Sequence, residues 1–304
     1  MHRPKVIAVV GPTSSGKTAL GIYLAKKLRG EVISADSRQV YKGLNLGTGK
    51  VTKKEMAGIP HHLLDVASPT RQFSASDFVK LSEKAIKKIT SNKHIPIIVG
   101  GTGFYTDTLL GRMVIPAVPP NEHLREQLEK KTIKQLFSLL QKLDPRRAAS
   151  IEPDHKRRLI RAIEIAKAVG SSPVPDPVPH YEVLWIGIKT DPRVLSKRIS
   201  LRLRARIRQG MIAEAKKLHS QGLTYKRMEA LGLEYRSLAR FLKSEVTKNE
   251  MVIELDRAIG NYAKRQLRWF KRNQEIRWVT NKTQAYWLAK AFVSGYYRPV
   301  RAIS

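Results

Sequence analysis

The residues best suited to chemistry lie near the start of the chain. Gly11-Pro12-Thr13-Ser14-Ser15-Gly16-Lys17-Thr18 fits the spacing G-x-x-x-x-G-K-[ST]. Each residue type has a task in that pattern. The glycines let backbone N–H groups close on phosphate oxygens. The N-terminus of a following helix adds about half a positive charge, and Lys17 adds a full one. The Thr18 hydroxyl can hold a magnesium ion. Such a loop grips a diphosphate or triphosphate but leaves open which bond breaks. A kinase, an NTPase and a transferase with diphosphate as leaving group all fit.

A second candidate is Asp36, in Val32-Ile33-Ser34-Ala35-Asp36-Ser37-Arg38-Gln39. It falls just past an expected strand, at the edge where open parallel sheets bind ligands. A carboxylate there can take a proton from a nucleophile or help hold magnesium. It can equally cap a helix, and spacing does not choose between these roles. The acid expected of an NTPase at the end of another apolar strand is missing, because Ile95–Val99 runs into Gly100-Gly101-Thr102. That weakens the NTPase reading.

These residues need a scaffold, and the apolar pattern supplies one. Val6–Val10 is a short apolar run suited to a buried parallel strand, and Lys17–Leu28 follows as a helix with Leu20, Leu24 and Leu28 on one stripe. Val32-Ile33 and Ile95–Val99 read as further strands, with an amphipathic helix over Asp77–Ile89 between them. Residues 121–170 are charged and helical in pattern, without strand candidates, and 171–179 is a Pro-rich connector. Val183–Ile188 and Ile276–Val279 return as strands. Helices are expected over Asp191–Gln209, Ile212–Gln221, Tyr235–Lys243, Met251–Arg272 and Gln284–Phe292. The expected fold is α/β, a P-loop NTPase-like parallel sheet flanked by helices. Its core spans 1–120 and 181–304, interrupted by an all-helical insertion at 121–180.

Composition narrows the partners. Lys and Arg total 57 against 25 Asp and Glu, a net charge of +32. The excess is basic on both sides of residue 120, so it is no separate tail, and a polyanion such as nucleic acid is the natural partner. The absence of cysteine excludes disulfides, thiolate zinc sites and a cysteine nucleophile. No apolar run reaches the roughly 20 residues that cross a bilayer, and residues 1–5 lack a signal-peptide core. A cytoplasmic protein without membrane contact is expected.

In family order, the phosphate loop is followed by Asp36–Tyr41, Gly47-Thr48-Gly49-Lys50, Pro60–Asp65, Phe73–Phe78 and Val99–Tyr105. Arg158–Glu164, Arg198–Arg202 and Tyr262–Phe270 come later. Together these blocks resemble the bacterial tRNA dimethylallyltransferases, also called tRNA isopentenyltransferases, over nearly the whole chain. The resemblance implies transfer of a dimethylallyl group from dimethylallyl diphosphate to N6 of the adenosine 3′ of the anticodon. It implies magnesium as cofactor and the tRNA anticodon stem-loop as partner of a monomer. Asp36 matches the general base, Thr102 a residue at the transfer site, and Arg202 a diphosphate contact beside Lys17. The tRNA contacts implied are Asp36, Ser37, Arg38, Gln39, Thr102, Leu124, Arg157, Arg158, Leu159, Ile160 and Arg161. Glu234 stands where the resembled pattern has a glycine, and the Pro-rich 171–179 replaces a basic, polar segment.

The remaining basic clusters allow two readings. Residues 191–210 place Leu195, Ile199, Leu203 and Ile207 on one helical stripe, with Arg198, Arg202 and Arg206 beside it, reaching for phosphate or merely solvated. Trp269, among Arg265, Arg268 and Arg272, suits the core better than a base-stacking platform. The adjacent His61 and His62 point different ways and read as structural. A small-molecule or nucleoside kinase, and a non-catalytic RNA-binding protein with a relic loop, are the competing functions.

Overall fold

The structure is a computed structural model that describes residues 3–170 and 180–297. It divides into two compact units: Met1–Arg112 with Pro179–Ser304, and Met113–Val178. The Pro-rich connector expected at 171–179 lies outside the described residues.

The larger unit opens with β1 (Lys5–Val10), α1 (Lys17–Leu28), β2 (Gly30–Ser34), α2 (Lys53–Met56), β3 (His61–His62), α3 (Ala75–Ser91), β4 (Ile95–Gly100) and α4 (Gly103–Leu109). The smaller unit holds α5 (Glu122–Glu129), α6 (Ile133–Leu143), α7 (Pro145–Ser150) and α8 (Lys156–Val169). The larger unit resumes with β5 (Glu182–Ile188), α9 (Pro192–Arg208), α10 (Met211–Ser220), α11 (Tyr225–Leu231), α12 (Leu233–Leu242), α13 (Lys248–Phe270), β6 (Arg277–Val279) and α14 (Lys282–Val293).

Among the described residues the strands form one sheet, ordered β3-β2-β4-β1-β5-β6, with every pairing parallel. This is the α/β architecture expected. Alternation along β1 sets its two faces. Val6, Ala8 and Val10 pack with Phe78 of α3 and Tyr105 of α4, while Ile7 and Val9 pack with Leu20 and Leu24 of α1 and Phe292 of α14. Both faces being covered explains why the strand is apolar throughout. Helices α9–α13 share a further core built on Leu203, Met211, Tyr235, Leu238 and Leu255.

The two-residue β3 is too short to announce itself in sequence. It pairs with β2, and His62 Nε2 and His94 Nδ1 each meet the buried carboxylate of Glu31, at 2.6 and 2.7 Å. His62 is thus held structurally, as expected, and His61 Nδ1 lies 2.8 Å from the Ile59 carbonyl. Short α2, α4 and α11 were not expected either. Helix α2 opens with a capping box between Thr52 and Glu55. The small unit packs Leu128, Leu136, Leu140, Leu159 and Ile163 around one core.

Candidate active site at the carboxyl edge of the sheet

Strands β1, β2 and β4 end side by side, and the candidate residues follow from that. The phosphate loop leaves β1 and turns into α1, with Ser14 at φ 61° and Gly16 at φ 94°. Helix α1 has no side-chain cap at its N-terminus and no acid in its first turn. Its leading amides are therefore open to an external anion. Ser15 Oγ is buried without a hydrogen-bond partner, which suits contact with a phosphate oxygen. Lys17 Nζ rests 3.2 Å from the Pro12 carbonyl. Desolvation lowers the Lys17 pKa from 10.5 to about 8, with Asp36 pulling it up and Arg202 pushing it down. An ammonium so placed gains most when an anion arrives.

Not every loop amide faces the mouth. Ser15 N–H donates to Pro12 O at 3.3 Å, and Thr13 N–H donates to Gln266 Oε1 at 2.8 Å.

Asp36 caps a turn and not a helix. Its Oδ1 accepts the N–H groups of Arg38 and Gln39, at 2.8 and 3.3 Å, and so shapes the turn after β2. Its Oδ2 has no hydrogen-bond partner among the described residues, and the side chain is half-buried. Thr102 sits alongside: its N–H donates to Ala35 O at 3.3 Å, and its Oγ1 accepts Ser37 N–H at 3.1 Å. The Tyr262 hydroxyl of α13 lies close to Thr102 and Asp36. Burial, then the charge of Asp36, pushes that hydroxyl up to about 12. Gly103 is required here, since a Cβ would come within 2.2 Å of Trp269. Trp269 itself donates Nε1–H to Asp107 Oδ2 at 2.7 Å and packs with the sheet-side core. It is a wall, as its setting suggested, rather than a stacking platform.

Arg202 reaches the same edge, with Nη2 donating to Gly49 O at 2.8 Å. The arginine stripe on α9 is corrected at Arg206. That side chain is buried, pairs with Glu234 Oε1 at 3.2 Å, and donates to the carbonyls of Leu46 and Gly47. It fastens the 44–50 loop and does not reach for phosphate. Glu234, where the resembled pattern has glycine, is thereby explained as its counter-ion. Glu214 completes the fastening by accepting the N–H groups of Asn45, Leu46 and Gly47 and the Tyr235 hydroxyl, at 2.7–3.0 Å. Sequence reading missed Glu214, Tyr262 and Gln266. The last two do lie in the 262–270 block, but nothing local marks what they touch.

The smaller unit carries the rest. Arg157 and Arg158 are exposed near the start of α8. Leu159 and Ile160 are corrected: both are buried in that unit's core, so their side chains are not available to tRNA. Arg161 is tied to Glu164 and to Val118 O. Leu124 lies on α5, its N–H donating to the Asn121 side chain and its side chain against the unit's core.

Among the described residues no three His, Cys, Asp or Glu side chains gather to hold a metal, and no helix is long and apolar enough to cross a membrane.

The family model described as IPP transferase matches residues 39–273. The chain is 40% identical over 283 residues to tRNA dimethylallyltransferase 1 of Geotalea uraniireducens, covering 93% of this chain and 92% of that one. It is 42% identical over 280 residues to tRNA dimethylallyltransferase 2 of Citrifermentans bemidjiense, with 91% and 90% covered. Among solved structures, the full-length tRNA isopentenylpyrophosphate transferase of Bacillus halodurans superposes with a TM-score of 0.72 at 36% identity, covering 97% of each chain. A eukaryotic dimethylallyltransferase acting on tRNA superposes with a TM-score of 0.84 at 26% identity, covering 99% of this chain and 81% of that one.

Proposed function

The chain belongs to the IPP transferase family, and we propose that it moves a dimethylallyl group from dimethylallyl diphosphate to N6 of the adenosine 3′ of the anticodon in tRNA. It does so as a cytoplasmic monomer that docks the anticodon stem-loop. One observation carries this reading. An uncapped phosphate loop, the desolvated Lys17 and a carboxylate with a spare oxygen converge at one sheet edge.

In the reaction the bond between the allylic C1 and the diphosphate oxygen breaks, and a bond from N6 to C1 forms. The N6 proton passes to Asp36, and diphosphate leaves. An aromatic amine is a weak nucleophile, so helping the leaving group depart matters most. The loop amides and Lys17 face the charge that builds on diphosphate, and one such donor is typically worth about 3–4 kcal/mol. A general base contributes about 10²–10⁴-fold. Arg202 adds positive charge to the diphosphate side, and Thr102 with Ser37–Gln39 lines the approach of the target base. An unpaired loop base leaves its stack at little cost.

The donor chemistry here fits magnesium. Hydroxyl and carboxylate oxygens are hard ligands of the kind magnesium takes, often alongside phosphate oxygens and water. Thr18 would hold it, and its charge would offset that of the diphosphate oxygens.

The test is to incubate the protein with unmodified tRNA and magnesium, in parallel with labelled dimethylallyl diphosphate and with γ-labelled ATP. Label entering tRNA only from the prenyl donor is expected. Phosphoryl transfer from ATP would favour a kinase, and tRNA binding without turnover would reduce the chain to an RNA-binding protein.

A further inference from the structure

Gln266 stands one turn beyond Tyr262 on α13 and is 7% exposed. Both ends of its side-chain amide are engaged. Oε1 accepts Thr13 N–H at 2.8 Å, and Nε2 donates to Gly101 O at 2.8 Å. A donor on one side and a carbonyl on the other fix which way the amide faces. A Cβ at Gly101 would lie 2.2 Å from Gln266 Nε2, so any larger residue there would push the amide out of place.

The two bonded segments have different tasks in the proposed reaction. Thr13 belongs to the cradle for the diphosphate. Gly101 leads directly into Thr102, whose hydroxyl accepts the N–H of Ser37, next to Asp36. One amide therefore ties the side of the site that holds the donor to the side that deprotonates the acceptor. We propose that Gln266 is a positioning residue, which sets the spacing between the phosphate loop and the Thr102–Asp36 segment so that C1 and N6 meet in line. The proposal rests on the transferase reading above. It follows from the geometry that a side chain of equal volume without both hydrogen bonds fills the space but lets the two segments drift. Misplacement of about 1 Å can cost about 10²-fold in rate.

The test uses the full chain and two variants, Gln266→Met and Gln266→Glu, with kcat, both KM values and melting curves measured for each. Gln266→Met should lower kcat by roughly 10- to 100-fold while KM for tRNA stays within about twofold. Gln266→Glu can still accept from Thr13 N–H, and when protonated it can also donate to Gly101 O. Its kcat relative to wild type should therefore climb as pH falls. Methionine at wild-type kcat in a folded protein would overturn the proposal. So would a Gln266→Glu to wild-type ratio that is flat with pH. Wild-type protein that moves no label from dimethylallyl diphosphate to tRNA would overturn the transferase reading, and this proposal with it. An active wild type with an indifferent Gln266 would overturn this proposal alone.

Discussion

Two loops in the larger unit differ in how their polar groups are satisfied. The 45–47 loop closes on the chain's own Glu214, whose carboxylate takes three consecutive amides and a tyrosine hydroxyl. The 11–18 loop precedes a helix with no cap of its own, keeps a hydroxyl buried without a partner, and holds a lysine whose ammonium is short of water. The first nest is satisfied internally and serves to hold structure. The second is satisfied internally only in part, through Thr13 N–H and Ser15 N–H, and the proposed function assigns its remaining donors to diphosphate.

The comparison breaks first at Asp36. Asp36→Asn keeps an oxygen for the Arg38 and Gln39 amides but cannot take a proton. Turnover should fall about 10²–10⁴-fold with melting temperature and tRNA affinity held, and an unchanged rate would remove Asp36 from the chemistry. Lys17→Met comes next. It should cost about 10²–10³-fold in kcat/KM for the prenyl donor while tRNA affinity stays, and the reverse pattern would contradict the placement of the donor. Glu214→Ala should act the opposite way. It leaves three amides and the Tyr235 hydroxyl without an acceptor, so unfolding should come at least about 2 kcal/mol sooner, with a smaller loss of kcat in the folded fraction. A catalytic loss without a stability loss would undo the contrast between the loops.

The smallest effect is on pH. Burial lowers the Lys17 pKa to about 8 in the free protein. Affinity for inorganic diphosphate, titrated from pH 7 to 9.5, should therefore weaken as pH rises through about 8, and a flat profile would argue against Lys17 as the anchor.

The legible parts of this site are those whose chemistry is local. The phosphate loop and Asp36 each sit within a few residues of a strand end, so short patterns reveal both. The apolar runs of β1, β4 and β5 announce a buried parallel sheet in the same way. Glu214 and Gln266 act on segments more than 160 residues away in sequence, and no local pattern carries that. Arg206 shows the limit from the other side. Helical spacing puts it in line with Arg198 and Arg202, but only the fold brings Glu234 up to neutralise it. Leu159 and Ile160 fail for a similar reason: a block that matches tRNA-contacting relatives includes the residues that hold the helix in its core.

The most direct measurement is a crystal structure of the protein with inorganic diphosphate and magnesium. Diphosphate should lie on the leading amides of α1, against Lys17 Nζ, with Asp36 Oδ2 facing the same space. Diphosphate bound elsewhere, or a loop left empty at saturating concentration, would contradict the account.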